Sequence, residues 1–354
     1  MNQVRTAAIG LGCRGYSMLE ALLLHMDNVR ITAVCDLYED RVTRAADAVE
    51  RKYGEGNRPF ASTDYKEVLD RDDVDAVLIM SAWESHFPIA LYAMERGIAV
   101  GMEVGGAYSM DDCWQLVRTY ERTKTPFMLL ENCCYGEAEM AVMHMVSQGL
   151  FGEVVHCEGG YRHDLRDEIV FGKENRHYRL RNYLTRNCEN YPTHELGPIS
   201  KFLSINRGNR MVRLNSIATK SVALNEYAEQ RFGADSDYAK MEYAQGDIVN
   251  TIITCANGET ILLTLDTTLP RSHYSRNISV RGTKGMSMED RRVVYLHGIT
   301  PEKGVLFVCN SGEEGLGNLK GTYAVCDYNS ANVISDKWGD KNPIIIVLEP
   351  EPEE

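Results

Sequence analysis

Three clusters in this 354-residue chain carry side chains able to move protons. They are Glu131-Asn132 with Tyr135, the run Glu158 to Asp164 with Tyr161, Arg162 and His163, and the run Asn190 to Pro198 with Tyr191 and His194. Histidine titrates near neutral pH, whereas tyrosine ionises near pH 10 and needs neighbouring positive charge before it can act as a base. In the third cluster Pro192 biases Tyr191 toward extended backbone, and Gly197-Pro198 reads as the start of a helix running through Lys201-Phe202-Leu203. Tyr191 and His194 would then sit at a loop-helix junction, with both polar tips able to face one ligand. His163 and Asp164 fit a helix cap or a surface pair equally well. His163, Asp164 and His194 are all metal-ligand types, but no His-x-x-x-His or similar spacing joins them, so no metal is expected.

The elements that position these clusters begin at the N-terminus. Val4 to Ile9 is a short apolar strand that runs into Gly10-Leu11-Gly12-Cys13-Arg14-Gly15 and then a helix. In such a Gly-x-Gly-x-x-Gly turn the first glycine allows the tight bend, the second lets backbone approach a pyrophosphate, and the third lets helix and strand pack closely. About 20 residues on, the strand Ile31 to Cys35 ends at Asp36, the expected place for a carboxylate that accepts the ribose hydroxyls of NAD. A carboxylate there would repel the 2′-phosphate of NADP, which makes NAD the expected cofactor.

Strands and helices then alternate: a helix from Glu39 to Tyr53, a strand near Pro59 to Thr63, a helix from Asp64 to Leu69 and a strand from Val74 to Met80. A helix from Pro88 to Arg96, a strand from Ala99 to Glu103, a helix from Asp111 to Thr123 capped by Ser109, and a strand from Phe127 to Glu131 complete the alternation. After a helix ending at Gly149 the texture turns to period-two segments, Val154 to Glu158, Arg213 to Thr219, Asp247 to Cys255 and Thr260 to Thr267, with a hairpin signal at Asn257-Gly258. Asp164 to Asn190 reads as a long charged loop, Ser311 to Lys320 as a Gly-rich loop, and Ile344 to Leu348 as a strand. The fold class is therefore α/β. Residues 1–131 form a Rossmann domain with a doubly wound parallel sheet, 132–345 an α+β domain on a mostly antiparallel sheet for substrate and oligomer contacts, and 346–354 an acidic tail.

A formal net charge of -13 argues against nucleic acid and anionic membrane surfaces, which require basic patches. The chain has no apolar run of ~18 residues and no signal-peptide pattern at its start, so a cytoplasmic protein is expected. Its ten cysteines are scattered, with no Cys-x-x-Cys, which suggests reduced, buried thiols.

Taken in order, Gly10 to Gly15, Glu103-Val104-Gly105, Leu130 to Gly136, Glu158 to Arg166, Tyr191-Pro192-Thr193-His194, Ile205 to Gly208 and Gly282 to Gly285 resemble the Gfo/Idh/MocA oxidoreductase superfamily. More narrowly they resemble its NAD-dependent α-N-acetylgalactosaminidases, glycoside hydrolase family 109. Ordinary superfamily dehydrogenases carry Glu-Lys-Pro where this chain has Glu103-Val104-Gly105, and a valine cannot relay a proton. The resemblance implies hydrolysis of a glycoside by transient oxidation at sugar carbon 3, proton removal at carbon 2, elimination, water addition and re-reduction. It assigns Tyr161 as the base at carbon 2, places Tyr191 and His194 on the hydroxyl to be oxidised, and sets Glu131 beside cofactor and sugar. On the cofactor side it implies Gly10, Leu11, Gly12, Cys13, Arg14, Gly15, Asp36, Ser81, Trp83, His86, Glu103 and Asn132. On the sugar side it implies Tyr161, Arg162, His163, Arg179, Tyr191, His194 and Tyr274. A homo-oligomer, dimer or tetramer, also follows from the resemblance. Beyond about residue 300 the chain departs from the family's Gly-Gly-Met-Asp segment and following helices, so a pocket that is either incomplete or differently closed is expected. The competing expectations are an NAD-dependent sugar or glycoside 3-dehydrogenase, or an inert relative that binds sugar and NAD.

Overall fold

The computed structural model describes residues 3–105 and 108–300, together with the later strands Val305–Val308, Thr322–Asp327 and Ile344–Val347. The loop expected over Ser311 to Lys320 and the tail from Glu349 lie outside the described residues. Ile346 and Val347 belong to the last strand, which corrects the expected start of the tail at 346. The chain divides into two compact units, Met1–Glu131 and Asn132–Glu354.

The first unit is a six-stranded parallel sheet. Its elements in order are β1 (Val4–Ile9), α1 (Cys13–Ala21), β2 (Val29–Cys35), α2 (Glu39–Tyr53), β3 (Phe60–Ser62), α3 (Tyr65–Leu69), β4 (Ala76–Ile79), α4 (Trp83–Glu95), β5 (Ala99–Met102), α5 (Met110–Thr123) and β6 (Phe127–Leu129). The strand order is β3-β2-β1-β4-β5-β6, so the chain reverses its winding beside β1. Because helices cover both faces, the central strands are apolar on both sides. Ala7, Ile9, Val77 and Ile79 pack toward α4, while Ala8 and Val34 pack toward Leu19 of α1 and Val42 and Val49 of α2. Helix α4 begins five residues before the expected Pro88. That proline lies within the helix, and Trp83 and His86 become helical residues. Ser109 caps α5 in a reciprocal box with Asp112.

The second unit contains α6 (Glu137–Ser147), β7 (Val154–Arg162), α7 (Arg166–Val170), α8 (Arg179–Thr185), α9 (Thr193–Phe202), β8 (Met211–Ala218), α10 (Ala223–Phe232), β9 (Ile248–Cys255), β10 (Thr260–Asp266), β11 (Ser279–Gly282), β12 (Gly285–Met288) and β13 (Val293–Leu296). The three later strands are β14, β15 and β16 in the order given above, and the sheet runs β16-β15-β14-β13-β12-β11-β7-β10-β9-β8. All its described pairings are antiparallel except that of β7 with β10. Helices α6 and α9 supply Ala141, Met145, Ile199 and Phe202 to a core with Cys157, Ile253, Ile261, Leu263 and Val280. Among the described residues, no helix is long and apolar enough to cross a membrane.

Two expectations change here. The stretch Asp164 to Asn190 is not one long loop: it holds α7 and α8, whose Ile169, Val170, Leu180 and Tyr183 are buried. Gly197 and Pro198 lie inside α9 rather than before it, because the helix already starts at Thr193 and places His194 in its first turn.

Candidate active site

In the first unit the glycine turn is shaped by contact. A Cβ on Gly10, whose φ is +90°, would lie 2.3 Å from the Ser81 backbone nitrogen, and one on Gly15 would lie 1.8 Å from the Gly10 carbonyl oxygen. Neither position admits a side chain. At Gly12 a Cβ would meet only the Arg41 guanidinium, at 3.5 Å, and no side chain caps α1 there. The turn thus presents a helix N-terminus with open backbone, the arrangement that receives a pyrophosphate.

Asp36 is buried at the end of β2. Its Oδ2 accepts the Leu11 N–H at 2.7 Å and lies 3.7 Å from Arg41, and its Oδ1 accepts the Tyr38 N–H at 3.1 Å. It therefore braces the glycine turn and keeps lone pairs for a ribose. Arg14 donates to Glu103 at 2.9 Å, and the other Glu103 oxygen accepts the Val104 N–H at 2.9 Å. Ser81 accepts from Ser85 at 2.7 Å, and its carbonyl meets His86 Nε2 at 2.9 Å. Burial lowers the pKa of His86 and keeps its imidazole neutral. Trp83 is buried against Gly105, whose φ is +108° and where a Cβ would fall 2.1 Å from the indole. Cys13 is exposed on the first turn of α1, Val104 is buried, and Glu131 is buried just after β6. These residues fit a dinucleotide.

In the second unit the catalytic candidates come together because α9 packs directly on β7. Strand alternation turns Cys157, Gly159 and Tyr161 toward the helix, and a Cβ on Gly159 would be 2.6 Å from the Glu195 Cβ. The missing side chain lets the helix approach, and its first turn then meets Tyr161. The Tyr161 ring centroid lies 4.3 Å from Tyr191, 5.7 Å from His194, 5.8 Å from His163 and 5.9 Å from Tyr274. Two tyrosine–histidine pairs result. The Tyr161 hydroxyl is 3.1 Å from His163 Nδ1, and the Tyr191 hydroxyl is 3.3 Å from His194 Nε2. The Arg179 guanidinium, buried at the start of α8, lies 4.9 Å from the Tyr191 centroid and 5.8 Å from that of Tyr161.

Burial raises the pKa of Tyr161, and the nearby Arg179 charge opposes that rise. His163 is pushed the other way, first by burial and then by Arg179, and so stays neutral at pH 7 with a ring nitrogen able to accept the phenol proton. Burial works to lower the pKa of Arg179, but Tyr178, Tyr161 and Glu168 more than offset it, so the guanidinium stays charged. Burial also raises Tyr274, although the residue is 46% exposed.

The structure does not gather every expected residue. Arg162 follows Tyr161 on the strand and therefore faces the opposite side, where it lies 3.5 Å from Glu158. Asp164 is taken up by Arg166 in a two-pronged pair at 2.8 and 2.6 Å. Asn132 is exposed on a 3₁₀ turn, Asn132–Tyr135. Sequence reasoning missed Glu168, which pairs with Arg179, and Glu189, whose Oε1 accepts the Tyr191 N–H at 3.4 Å and whose carboxyl burial pushes up to about 8. The signal available was a density of charge in a stretch that also holds buried apolar residues.

Two family patterns cover most of the chain. Residues 4–130 match the oxidoreductase family with an NAD-binding Rossmann fold, and residues 135–305 match the glycosyl hydrolase 109 C-terminal domain. A glycosyl hydrolase family 109 protein of Stenotrophomonas maltophilia is 38% identical over 324 residues, covering 84% of this chain and 70% of that one. An α-N-acetylgalactosaminidase of Bacteroides fragilis is 38% identical over 292 residues, covering 81% and 68%. The fold is shared with scyllo-inositol dehydrogenase from Lactobacillus casei, solved with NAD(H) and scyllo-inositol, at a TM-score of 0.62 and 14% identity over 88% of this chain and 80% of that one. The first unit is thus an NAD-binding Rossmann domain of the Gfo/Idh/MocA type, and NAD is the cofactor. The chain belongs to glycosyl hydrolase family 109, and it is an NAD-dependent glycoside hydrolase.

Proposed function

We propose that this enzyme hydrolyses terminal α-N-acetylgalactosaminides by transient oxidation of the sugar. The observation that carries the reading is the pair of tyrosine–histidine contacts beside a buried arginine. When bound, NAD would supply the hydride acceptor for oxidation at sugar carbon 3 and the hydride donor for the final reduction. Gly10 to Gly15 and Asp36 would hold it.

Tyr191 and His194 take the proton of the carbon 3 hydroxyl as that carbon becomes a ketone. The ketone acidifies the carbon 2 proton, which Tyr161 removes while its own hydroxyl proton passes to neutral His163. The glycosidic oxygen leaves from carbon 1 with the proton held on His163. Water adds its oxygen to carbon 1 of the resulting double bond and gives a proton to His163, and Tyr161 returns a proton to carbon 2 and is reprotonated from His163. Arg179 favours the phenolate of Tyr161 throughout and, with Tyr274, contacts sugar oxygens.

The dehydrogenase likeness of the fold favours a second reading, net oxidation to a 3-keto sugar. An aryl α-N-acetylgalactosaminide separates the two. The hydrolase releases the phenol with no net NADH, whereas NADH formed mole for mole without phenol release would overturn the proposal.

A further inference from the structure

We infer that Glu168 is a positioning residue of this site: its carboxylate, reaching from α7, holds the buried Arg179 guanidinium against the Tyr161 and Tyr191 rings and fixes the charge that Tyr161 meets. The inference rests on the reading of Tyr161 as the base. Glu168 Oε1 forms an ion pair with Arg179 Nε, and the same oxygen faces His177 Nε2 at 3.6 Å. His177 in turn accepts the Arg179 backbone N–H on its Nδ1 at 3.3 Å, so the start of α8 is tied to α7 through both main chain and side chain.

Packing keeps the two helices in register. Gly172 leaves room where a Cβ would come 2.4 Å from the Leu180 Cβ, and Ile169, Val170 and Leu180 are buried around it. The pair is asymmetric: the Arg179 side chain is 8% exposed and that of Glu168 is 35%. The arginine is therefore the buried partner, anchored from outside.

The charged and titratable groups around Tyr161 come from every neighbouring element. They are His163 just past β7, Glu168 of α7, Arg179 of α8, and His194 and Glu195 of α9, with the Tyr191 and Tyr274 rings alongside. Arg179 favours the phenolate of Tyr161, while Glu168 and Glu195 disfavour it. Glu168 thus does two things that substitution can separate. Its oxygen places Arg179, and its charge offsets part of what Arg179 does for Tyr161.

Glu168→Gln keeps an oxygen for Arg179 and removes the charge, Glu168→Ala removes both, and Glu168→Asp keeps the charge on a shorter stem. The Tyr161–His163 pair must have room for one more proton to act, so kcat/KM for phenol release rises with pH as that pair becomes neutral. With Glu168→Gln that rise should move to lower pH by about one unit, as removal of one nearby like charge implies. Glu168→Ala should lose about 10- to 100-fold in kcat/KM as Arg179 loosens, with partial recovery in Glu168→Asp and unchanged NAD affinity.

A second readout does not depend on turnover. Ultraviolet titration of the holoenzyme, with Tyr161→Phe as the subtraction, reports the phenolate directly and should shift in the same direction in Glu168→Gln. If the titration shifts but no glycoside is cleaved, the placement of Glu168 stands and the hydrolytic reading fails. If glycoside is cleaved while the titration and pH profile of Glu168→Gln match wild type, the Glu168 charge does not reach Tyr161, and if Glu168→Ala keeps wild-type kcat/KM, Glu168 does not position Arg179; either result overturns the inference.

Discussion

Two glycines of the same turn, three residues apart, should respond to alanine in opposite ways. At Gly15 the added Cβ would stand 1.8 Å from the Gly10 carbonyl oxygen and 2.9 Å from its carbon, and both are backbone atoms that cannot swing aside. Carbon contacts settle near ~3.5–4.0 Å, so α1 and β1 must separate. Overpacking of this kind costs about 1–3 kcal/mol, and a backbone obstacle puts Gly15→Ala near the upper end. In a unit of this size that corresponds to a Tm lower by roughly 5–10 °C.

Gly12 has φ −63° and ψ −166°, which any residue adopts, and its Cβ would touch only the Arg41 guanidinium, at 3.5 Å. Gly12→Ala should therefore change stability by no more than about 0.5 kcal/mol. Its methyl group nevertheless occupies the face where a pyrophosphate approaches, so NAD affinity should fall about 10- to 100-fold, or ~1.4–2.7 kcal/mol. Thermal melts of protein stripped of cofactor, paired with calorimetric NAD titration, read both quantities. A Gly15→Ala protein that melts with wild type, or a Gly12→Ala protein that binds NAD like wild type, would refute the assignment of this turn.

Tyr161→Phe and His194→Ala should each lower kcat by about 10²–10⁴-fold while NAD stays bound, checked by turnover and by cofactor absorbance of the purified variants. Glu189 offers a test in pH. Its carboxyl titrates at about 8 in the fold against an ordinary 4.5, so its contribution to stability is complete below pH 4.5 and lost as pH rises through 8. Glu189→Gln should match wild type at pH 4.5 and exceed it by about 1–3 kcal/mol at pH 9 in denaturant melts, and equal stability at both pH values would count against the burial of that carboxyl. Arg276→Met should cost about 3–5 kcal/mol in the same melts, because it strands Glu139 and Glu289, which flank the guanidinium.

The first unit was legible because parallel strands covered on both faces are continuously apolar, and because a glycine turn followed by an acidic strand end is a local signal. Even so, Pro88 hid the first turn of α4, and with it the helical placement of Trp83 and His86. In the second unit Gly159-Gly160 read as the end of a strand, yet β7 continues to Arg162. Gly159 admits α9, and a Cβ on Gly160 would lie 2.4 Å from the Thr264 carbonyl of β10.

The residue types of the site, Tyr161, His163, Tyr191 and His194, were readable as chemistry, and so was the local meeting of Tyr191 with His194, but the gathering of the two tyrosine–histidine pairs was not, since it depends on how closely one helix sits on one strand. Helices α7 and α8 escaped notice for a related reason. At five and seven residues they are too short for a helical period to emerge, and tertiary burial of Ile169, Leu180 and Tyr183 holds them in place. Arg179 was therefore reached only through the family resemblance, with no local pattern to show that it is among the most buried charged groups of its unit.

The central claim is that the glycosidic bond breaks only after carbon 3 has been oxidised and carbon 2 has lost its proton. Turnover of an aryl α-N-acetylgalactosaminide in D₂O tests it directly, with the released sugar read by mass spectrometry and NMR. The account predicts one deuterium at carbon 2 of the product, and released sugar that carries only protium at carbon 2 would contradict it.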